Sequence, residues 1–253
     1  MNFGHWYYRE YFDTINLDSK GIVTNFSTFN KGKNDKLIKG ATLPPYDKEN
    51  DIKDVTGFEL KTCYPGLLCG VGYHHEINKP ADEKGKKVEG DKEDDAPEVY
   101  NLGMYFDYTS GLPVIPGSSI KGMLRSAIEE WDFLADYKPN NGVTREEIIK
   151  TVFEGKGLSI YDRDIFLDAI PIKADNKLFG EDYITHHPTP LQNPNPVRFL
   201  RVNPGVTYQF RFILRNNDNG LKADFKEDLF KAIICTFGLG AKTNVGYGQF
   251  VEH

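Results

Sequence analysis

Residues 111–125 read GLPVIPGSSIKGMLR, in which an apolar segment runs into a proline, a glycine and two serines. This sequence is typical of a helix start, because Ser118 and Ser119 are both suited to accept a hydrogen bond from a free backbone amide there. Apolar residues then recur at helical spacing: Ile120, Leu124, Ile128, Trp131 and Leu134. The spacing predicts a helix over about residues 119–136, with one face toward the core.

Segments with strand character lie on both sides of this helix. They cover residues 55–62 before it and residues 164–172, 197–202 and 206–214 after it. A second helix, which Asp224-x-x-Glu227 opens and Gly238 ends, leads to a short strand at 248–251. The order strand, helix, strands, helix, strand fits the split βαβ pattern. The sequence therefore predicts an α+β fold with a ferredoxin-like or RRM-like sheet and helices on one face.

Other regions are predicted to be elaborations of that sheet: the N-terminal 50 residues and residues 138–162. Within the second region, Thr144-x-x-Glu147 matches a capping box and predicts a short helix that ends near Gly155. Residues 79–98 carry five basic and eight acidic side chains and few apolar ones. That composition is typical of a flexible insertion in a surface loop. Apart from it, residues 1–253 are predicted to form a single domain.

The composition limits the class of protein. Hydrophobic residues make up 39% of the chain and aromatic residues 13%, which excludes global disorder. No apolar run approaches the length of a bilayer span, and residues 1–13 lack the basic and apolar regions of a signal peptide. These features favour a cytoplasmic protein without a membrane partner. Cys63, Cys69 and Cys235 form no CxxC pair, so we expect reduced, mostly buried thiols and no metal or cofactor.

The net charge of −6 is unevenly distributed along the chain. Half of it falls in residues 79–98. By contrast, residues 183–215 contain no Asp or Glu. Their basic side chains are Arg198, Arg201, Arg211 and Arg215, together with His186 and His187. This distribution allows a local basic surface on an acidic protein, although charge alone does not establish one.

The start of the predicted helix has the chemistry of an anion-binding site. Free amides and the helix dipole favour an anion there, and Lys121 and Arg125 share one helix face because they are four residues apart. We predict that a nucleic-acid backbone contacts Gly117, Ser118, Ser119, Lys121, Gly122 and Arg125. From these residues alone, the alternative is an ordinary helix N-cap with solvated basic side chains.

Residues 238–248 read GLGAKTNVGYG and contain four glycines, which allow a ligand to approach the backbone closely. The loop follows a helix and lacks GxxxxGK followed by Ser or Thr, so it is neither a Walker A loop nor a Rossmann fingerprint. Lysine, threonine and asparagine supply donors, and Tyr247 is suited to stack on a base. The predicted RNA-binding residues here are Gly240, Ala241, Lys242, Thr243, Asn244, Gly246, Tyr247 and Gly248. The alternative is a glycine-rich helix exit that feeds an edge strand.

Two histidine pairs occur, His74-His75 and His186-His187. Adjacent residues on a strand point to opposite faces, so such a pair is a poor metal chelate. We interpret these residues as polar surface histidines. An acid–base role in RNA cleavage is the alternative.

Taken together, the two loops resemble a known pair of motifs. Residues 111–125 resemble the IPGSSxKGxxR signature of the RAMP proteins of CRISPR systems, and GLGAKTNVGYG is similar to their glycine-rich loop. Within that superfamily, residues 2–12, 166–171 and 196–202 are similar to the sixth Cmr subunits of type III-B effector complexes. Where that family often has a TPH-type motif, residues 185–190 read THHPTP, so no role is carried over to these histidines.

The resemblance implies a non-catalytic, RNA-binding subunit with an RRM-like fold. It implies a place at the end of a filament of subunits, near the 3′ side of the crRNA, where the two loops hold guide RNA and the guide–target duplex. The implied partners are crRNA, target RNA, the repeated backbone RAMP subunit and the other terminal RAMP subunit, without an obligate homo-oligomer. In that family, target cleavage belongs to the repeated backbone subunit. Arg198, within the matching segment 196–202, completes the predicted RNA-binding set.

Two other functions stay open at this level. A metal-independent RAMP endoribonuclease that processes guide precursor would use a histidine between the first strand and the first helix, where His74 and His75 lie. No Tyr–Lys–His set can be fixed beside them from the sequence. A phosphate-binding metabolic enzyme is disfavoured by the missing nucleotide-binding motifs.

Overall fold

The structure is a computed structural model, and the residues it describes form a discontinuous set. They are residues 1–21, 23–25, 28–30, 32–47, 52–70, 75, 100, 102–136, 142–186, 195–217 and 220–252. The insertion predicted at 79–98 lies outside the described residues, as do His74 and His187.

The chain divides into two compact units, each built from three separate segments. Unit 1 contains Met1–Thr42, Gly70–Pro113 and Lys177–Val202. Unit 2 contains Leu43–Cys69, Val114–Asn176 and Asn203–His253. Both predicted loops belong to unit 2. That residues 1–253 form a single domain stays a prediction.

The described elements are short, and helices and strands are mixed along the chain. The α-helices are α1 (Phe3–Tyr8), α2 (Lys33–Gly40), α3 (Gly117–Glu129), α4 (Phe133–Asp136), α5 (Arg145–Ile148) and α6 (Ala223–Phe237). The strands are β1 (Glu59–Thr62), β2 (Ile165–Phe166), β3 (Ile170–Ala174), β4 (Phe179–His186), β5 (Asn195–Val202), β6 (Val206–Gln209), β7 (Phe212–Ile213) and β8 (Phe250–Val251). Single turns of 3-10 helix lie at Glu10–Phe12, Ile160–Asp162 and Thr243–Val245, and a π-helical turn covers Ile149–Phe153.

Four of these strands form one antiparallel sheet in the order β3-β6-β1-β8. Strand β6 pairs with both β1 and β3, and β8 pairs with the other edge of β1. Two smaller antiparallel sheets pair β2 with β7 and β4 with β5. In chain order, α3 follows β1 and α6 follows β6. The prediction of a mixed α+β fold is confirmed at this level.

Helix α3 packs through the face that the sequence predicts, but it is shorter than predicted. Its residues Ile120, Leu124 and Ile128 are buried, as the helical spacing requires. The helix ends at Glu129, and Asp132 then adopts a positive φ of 49°. Trp131 is therefore 68% exposed, so its predicted place on the core face is wrong.

The start of α3 also differs from the prediction. Its N-cap is Pro116, which has no side chain able to accept a hydrogen bond, and no side-chain cap is present. Ser118 and Ser119 lie inside the first helical turn and are exposed. Neither serine caps the helix.

Several strands are shorter than the sequence predicts, and one is additional. The stretch 164–172 divides into β2 and β3, and 206–214 divides into β6 and β7. Strand β4, which no sequence pattern predicted, pairs along its whole length with β5. The capping box of Thr144 and Glu147 is confirmed. At α6, the predicted capping by Asp224 is wrong: Asp224 lies inside the first turn, and the N-cap is Lys222, whose side chain makes no capping hydrogen bond.

No helix in the described part of the chain is long and apolar enough to cross a membrane.

Candidate nucleic-acid interface

The first residue of α3 is held against the chain that precedes β3. The backbone N–H of Gly117 donates a hydrogen bond to Oδ1 of Asp168 at 2.8 Å. A Cβ atom on Gly117 would lie 2.1 Å from the carbonyl oxygen of Phe166. Glycine is therefore required here by internal packing, and a carboxylate of the protein already occupies the first free amide of the helix.

Other groups of the α3 start are exposed or, in the case of Lys121, half-buried. Lys121 lies with Nζ 5.6 Å from the centroid of the Phe166 ring, a cation–π contact, and forms no ion pair with a described residue. Gly122 is exposed, and no described atom lies within 4 Å of where its Cβ would be. Gly122 thus weakens the helix without any packing need among the described residues. Together with Ser118 and Ser119, these residues form an open polar surface.

Arg125 is engaged differently from Lys121. Its guanidinium donates to Glu129 at 2.7 and 3.4 Å and lies 3.5 Å from a carboxylate oxygen of Glu154. The Glu129 hydrogen bond is the main reason that the pKa of Arg125 is raised, and the same contact lowers the pKa of Glu129. Two internal carboxylates compensate this charge, so Arg125 is a weaker candidate for a phosphate contact than the sequence predicts.

The glycine loop, residues 238–248, closes on the chain that follows β1. Ala241 donates to the carbonyl of Leu68 at 3.1 Å, and Gly248 donates to the carbonyl of Gly66 at 2.8 Å. A Cβ atom on Gly240 would lie 2.4 Å from the Leu68 carbonyl oxygen. On Gly248 it would lie 1.8 Å from the carbonyl oxygen of Leu239. These two glycines are therefore explained by backbone packing.

The tip of the glycine loop carries three polar side chains, those of Lys242, Thr243 and Asn244. Lys242 has a φ of 62°, which is uncommon for a residue with a side chain, and it forms no ion pair with any residue that the structure describes. Thr243 is half-buried and Asn244 is exposed. Gly246 has a φ of 97°, and among the described residues only Pro65 lies near its missing Cβ, at an ordinary contact distance of 3.5 Å. The loop therefore offers one uncompensated cation and an exposed amide.

Tyr247 is not available for the role the sequence predicts. Its side chain is 7% exposed, and its backbone amide donates to the carbonyl of Lys242 at 3.3 Å. A ring this deeply buried presents no face on which a base can stack. The exposed tyrosine at this loop is Tyr64, which is 83% exposed and precedes the Pro65 that contacts Gly246. Sequence reasoning missed it, and the available signal was its place in a Tyr-Pro-Gly turn directly after a strand.

The structure does not bring the two loops together. Ile115, just before α3, exchanges backbone hydrogen bonds with Ala169, just before β3, whereas the glycine loop bonds to residues that follow β1. Both β1 and β3 run antiparallel to β6, with Glu59 and Ile170 both opposite Gln209. The start of β3 and the end of β1 therefore lie at opposite ends of the sheet, about 13 Å apart for strands of this length. The two loops are therefore two separate candidate contact points.

The arginines of the predicted basic stretch 183–215 are divided between the two units. Arg198 and Arg201 lie on β5 in unit 1, where they pair with Glu181 and Asp182 of β4. Arg198 also lies 5.7 Å from the centroid of the Tyr183 ring. Arg211, in unit 2, donates to the carbonyl of Asp168 at 3.2 Å. Carboxylates outside the stretch thus compensate the two strand arginines, so Arg198 is a weaker candidate for a phosphate contact than the sequence predicts.

The buried pair of unit 2 involves a lysine that the sequence did not single out. Lys226 donates to Asp164 at 2.6 Å, to the carbonyl of Arg215 at 2.7 Å and to Asn217 at 2.9 Å. Desolvation lowers the pKa of Lys226, against the opposing effect of Asp164. Because the side chains of Lys226 and Asp164 are 1% and 2% exposed, this pair fixes the start of α6 and is closed to a ligand.

His75 is a buried residue and not the polar surface histidine that was predicted. It is 2% exposed, and its Nε2 lies 3.0 Å from the carbonyl oxygen of Tyr7. Its ring centroid lies 4.1 Å from that of Tyr7, 4.0 Å from that of Tyr11 and 4.8 Å from that of Phe12. A histidine enclosed in this way has no path to an RNA phosphate. The side chain of His186 is not among the described atoms.

The three cysteines form no disulfide, and of the thiols predicted to be mostly buried only Cys69 is fully buried, whereas Cys63 and Cys235 are half-buried. Burial raises the pKa of Cys69 to about 12, so this thiol stays protonated. Within the described ranges, no group of His, Cys, Asp and Glu is arranged to hold a metal ion.

Comparisons with known proteins agree with the motifs. The chain is 31% identical over 157 residues to the CRISPR system CMR subunit Cmr6 of Saccharolobus solfataricus, which covers 60% of this chain and 49% of that protein. It is 30% identical over 130 residues to the CRISPR system Cms endoribonuclease Csm3 of Enterococcus italicus, which covers 47% of this chain and 61% of that protein. The chain thus spans about half to three fifths of the length of these relatives.

A solved structure is also similar to this chain. A chain in the cryo-EM structure of the Type III-B Cmr-beta bound to cognate target RNA aligns with a TM-score of 0.51 and 28% sequence identity, over 78% of this chain and 57% of that chain. The sequence pattern of the RAMP superfamily matches residues 59–251, a range that contains β1, α3, α6, β8 and both loops. The chain therefore belongs to the RAMP superfamily.

Proposed function

We propose that this chain is a non-catalytic, RNA-binding subunit of a type III-B CRISPR (Cmr) effector complex, working in the cytoplasm in antiviral defence. It caps the backbone filament near the 3′ side of the crRNA and holds the guide RNA and the guide–target duplex. The similarity to a Cmr6 subunit and to a chain of a Cmr complex bound to target RNA supports the proposal.

The sheet order supports an RRM-like domain as the core of this subunit. Numbered by their place in a βαββαβ unit, β1, β3, β6 and β8 are the first to fourth strands. The observed order β3-β6-β1-β8 then puts the first and third strands in the centre of the sheet, with α3 and α6 as the two connecting helices. The elements of unit 1 come from segments inserted before and between these strands.

The observation that carries the proposed RNA contact is the pair of uncompensated lysines. Among the described residues, Lys121 and Lys242 form no ion pair, in contrast to Arg125, Arg198 and Arg201. Each lysine lies in a segment with several glycines. No described atom lies within 4 Å of where the Cβ of Gly122, next to Lys121, would be. A lysine in such a place meets a phosphate without first breaking an internal ion pair.

Two lysines on a chain of net charge −6 give only weak RNA binding at physiological salt. The subunit therefore depends on neighbours that hold the same RNA and raise its effective concentration. These neighbours are the repeated backbone RAMP subunit and the other terminal RAMP subunit. Stacking along a filament uses different surfaces on the two sides of the subunit, so an obligate homo-oligomer is not expected.

Reconstitution tests this proposal directly. We expect the isolated chain to bind short single-stranded RNA loosely and without sequence preference. Mixed with the backbone subunit and a guide RNA, it should join a stable complex at one copy per assembly, measured by gel filtration with mass determination. A tight homodimer that excludes the backbone subunit would contradict the proposal.

A RAMP endoribonuclease is the second candidate, because one relative is named an endoribonuclease. The position of His75 argues against it, since the ring is enclosed by Tyr7, Tyr11 and Phe12. We expect the purified chain to leave guide precursor and target RNA intact, with or without Mg²⁺. Cleavage that disappears in a His74→Ala, His75→Ala double variant would favour the endoribonuclease.

A further inference from the structure

Tyr64 is an exposed ring on a rigidly held piece of backbone. Its side chain is 83% exposed, and the hydroxyl has no hydrogen-bond partner among the described residues. On one side, the amide of Cys63 donates to the carbonyl of Gln249 at 2.9 Å. On the other, the carbonyl of Gly66 accepts from the amide of Gly248 at 2.8 Å. The chain is thus fixed on both sides of a ring that lies in solvent.

The same contacts place Tyr64 beside the tip of the glycine loop. Pro65, which follows Tyr64, lies next to Gly246. Its Cδ is 3.5 Å from where a Cβ atom of Gly246 would be, and no other described atom lies within 4 Å of that position. Lys242 and Asn244 lie on the same tip, and neither side chain is engaged by a described residue. An exposed aromatic ring, an unpaired cation and an exposed amide are therefore grouped on two segments that hydrogen-bond to each other.

We propose that Tyr64 is the base-stacking platform of the glycine loop: one unpaired base of an RNA strand stacks on its ring while Lys242 contacts an adjacent phosphate. The proposal rests on the proposed RNA-binding function and narrows the ligand of this loop to single-stranded RNA. Aromatic rings next to basic groups bind single strands because every unpaired base has an open face. In a duplex, both faces of each internal base are covered by its neighbours, so this ring gains nothing there.

The stacking role of Tyr64 could not be predicted from its position in the sequence. Tyr247 lies inside the glycine run but is 7% exposed, whereas Tyr64 lies just after the end of β1 and is held beside the loop by the hydrogen bonds of Cys63 to Gln249 and of Gly248 to Gly66. The stacking role thus moves from a buried tyrosine within the loop to an exposed one beside it.

The test compares four forms of the whole chain: the parent protein, Tyr64→Ala, Tyr64→Phe and the control Tyr161→Ala. Tyr161 is 82% exposed and lies in unit 2 outside the glycine loop, so its removal matches the loss of an exposed ring. Each form is titrated by fluorescence anisotropy with a short single-stranded RNA and with a duplex of the same length. A second single strand carries 2-aminopurine, whose emission falls when the base stacks.

We expect Tyr64→Ala to weaken single-strand binding about tenfold, the effect of losing one base–aromatic stack. It should leave duplex binding and the salt dependence unchanged and abolish the drop in 2-aminopurine emission. Tyr64→Phe and Tyr161→Ala should bind like the parent protein. Lys242→Ala, by contrast, should reduce the salt dependence, because it removes a phosphate contact and not a stack.

The outcomes separate the two proposals. If the parent protein binds and Lys242→Ala weakens binding while Tyr64→Ala behaves like Tyr161→Ala, the stacking role is wrong and the RNA-binding function stands. If the parent protein binds neither RNA, even at low salt, the proposed function fails and the stacking role fails with it.

Discussion

The start of α3 and the glycine loop both combine glycines with basic side chains, but they differ in which of these residues the fold engages. At the start of α3, Gly117 is locked against Phe166 and Arg125 is held by two carboxylates, while no described atom lies near the missing Cβ of Gly122. In the glycine loop, Gly240 and Gly248 close the loop on Leu68 and Leu239, and Lys242 at the tip is left uncompensated. Within each motif, some residues build the fold and others face outward.

This difference matters for interpreting a motif. A glycine or a cation in a signature is not by itself a ligand contact, because packing and internal ion pairs use the same residue types. The separation rests on one geometric question for each residue, namely whether a neighbouring atom already occupies the space or the charge. The following substitutions test that separation.

The largest effect is expected for Gly248→Ala. A Cβ there would lie 1.8 Å from the carbonyl oxygen of Leu239, at a φ of 72°, so the loop and β8 must shift. We expect a loss of about 4 kcal/mol in the free energy of unfolding, measured by denaturant titration. Gly246→Ala is the matched control: it also has a positive φ but meets only Pro65 at 3.5 Å, and it should cost clearly less. Equal losses would mean that backbone strain, and not the contact with Leu239, sets the requirement for glycine.

Gly117→Ala should come next. Its Cβ would lie 2.1 Å from the Phe166 carbonyl and would push the helix start away from Asp168. Forcing atoms into a packed position typically costs about 3 kcal/mol at the upper end, which is the loss we expect in thermal or denaturant unfolding. A stable Gly117→Ala variant with impaired RNA binding would instead make Gly117 a ligand contact.

The double variant Lys121→Ala, Lys242→Ala should keep its stability and lose RNA affinity. Each phosphate contact on a single strand contributes about 0.7 to the slope of log affinity against log salt, so the slope should fall by about 1.4. Anisotropy titrations over a range of salt concentrations measure it. An unchanged slope with normal affinity would remove both lysines from the interface.

Arg125→Ala should change that slope much less than the double lysine variant. The guanidinium is already paired with Glu129 and Glu154, and a phosphate would have to displace them. The same titration measures it, and Arg198→Ala, which loses the partner of Glu181, is the corresponding variant in unit 1. A fall of about 0.7 in the slope for Arg125→Ala, the contribution of one phosphate contact, would show that the arginine exchanges its carboxylates for RNA.

The smallest effect on folding is expected for Gly122→Ala, and its sign is reversed. The site has open space and lies within a helix, so alanine should stabilise the protein by up to about 1 kcal/mol in thermal unfolding. If the RNA backbone approaches α3 here, the same variant should bind RNA less tightly. Normal binding together with higher stability would leave Gly122 without a role in the interface.

Periodicity predicted the core of unit 2 well but not the point where α3 ends. Ile120, Leu124 and Ile128 are buried because apolar residues at this spacing lie on one face of a helix, and that face packs on the core. The end of the helix depends on Asp132 at a positive φ, and neither glycine nor proline signals that stop in the sequence. Trp131 consequently lies outside the pattern that seemed to include it.

Charge and contact partners were the least predictable features, because both depend on pairing between distant segments. The stretch 183–215 is basic in sequence, but in the structure Glu181 and Asp182 of β4 pair with Arg198 and Arg201 of the adjacent strand β5. The same two acidic residues interrupt the alternation of apolar and polar residues in β4, so the sequence did not predict this strand. Lys242 was predicted from the glycine run that surrounds it, whereas Tyr64 is far from that run in sequence and lies beside it because hydrogen bonds join the segment after β1 to the loop.

The central position of β1 has a consequence for the order in which the molecule can form. Thr62 accepts from the amide of Val206, its hydroxyl donates to the Val206 carbonyl 144 residues away, and the other edge of the strand pairs with β8. During synthesis, β1 has no partner until β6 has left the ribosome, and its second edge stays open until β8 follows. Such distant pairing makes closure of the sheet slow and keeps an exposed strand edge in the growing chain. The glycine loop, which is bonded to the segment after β1, can be shaped only once that closure is complete. If the loop binds RNA as proposed, a partly made chain cannot bind RNA through it.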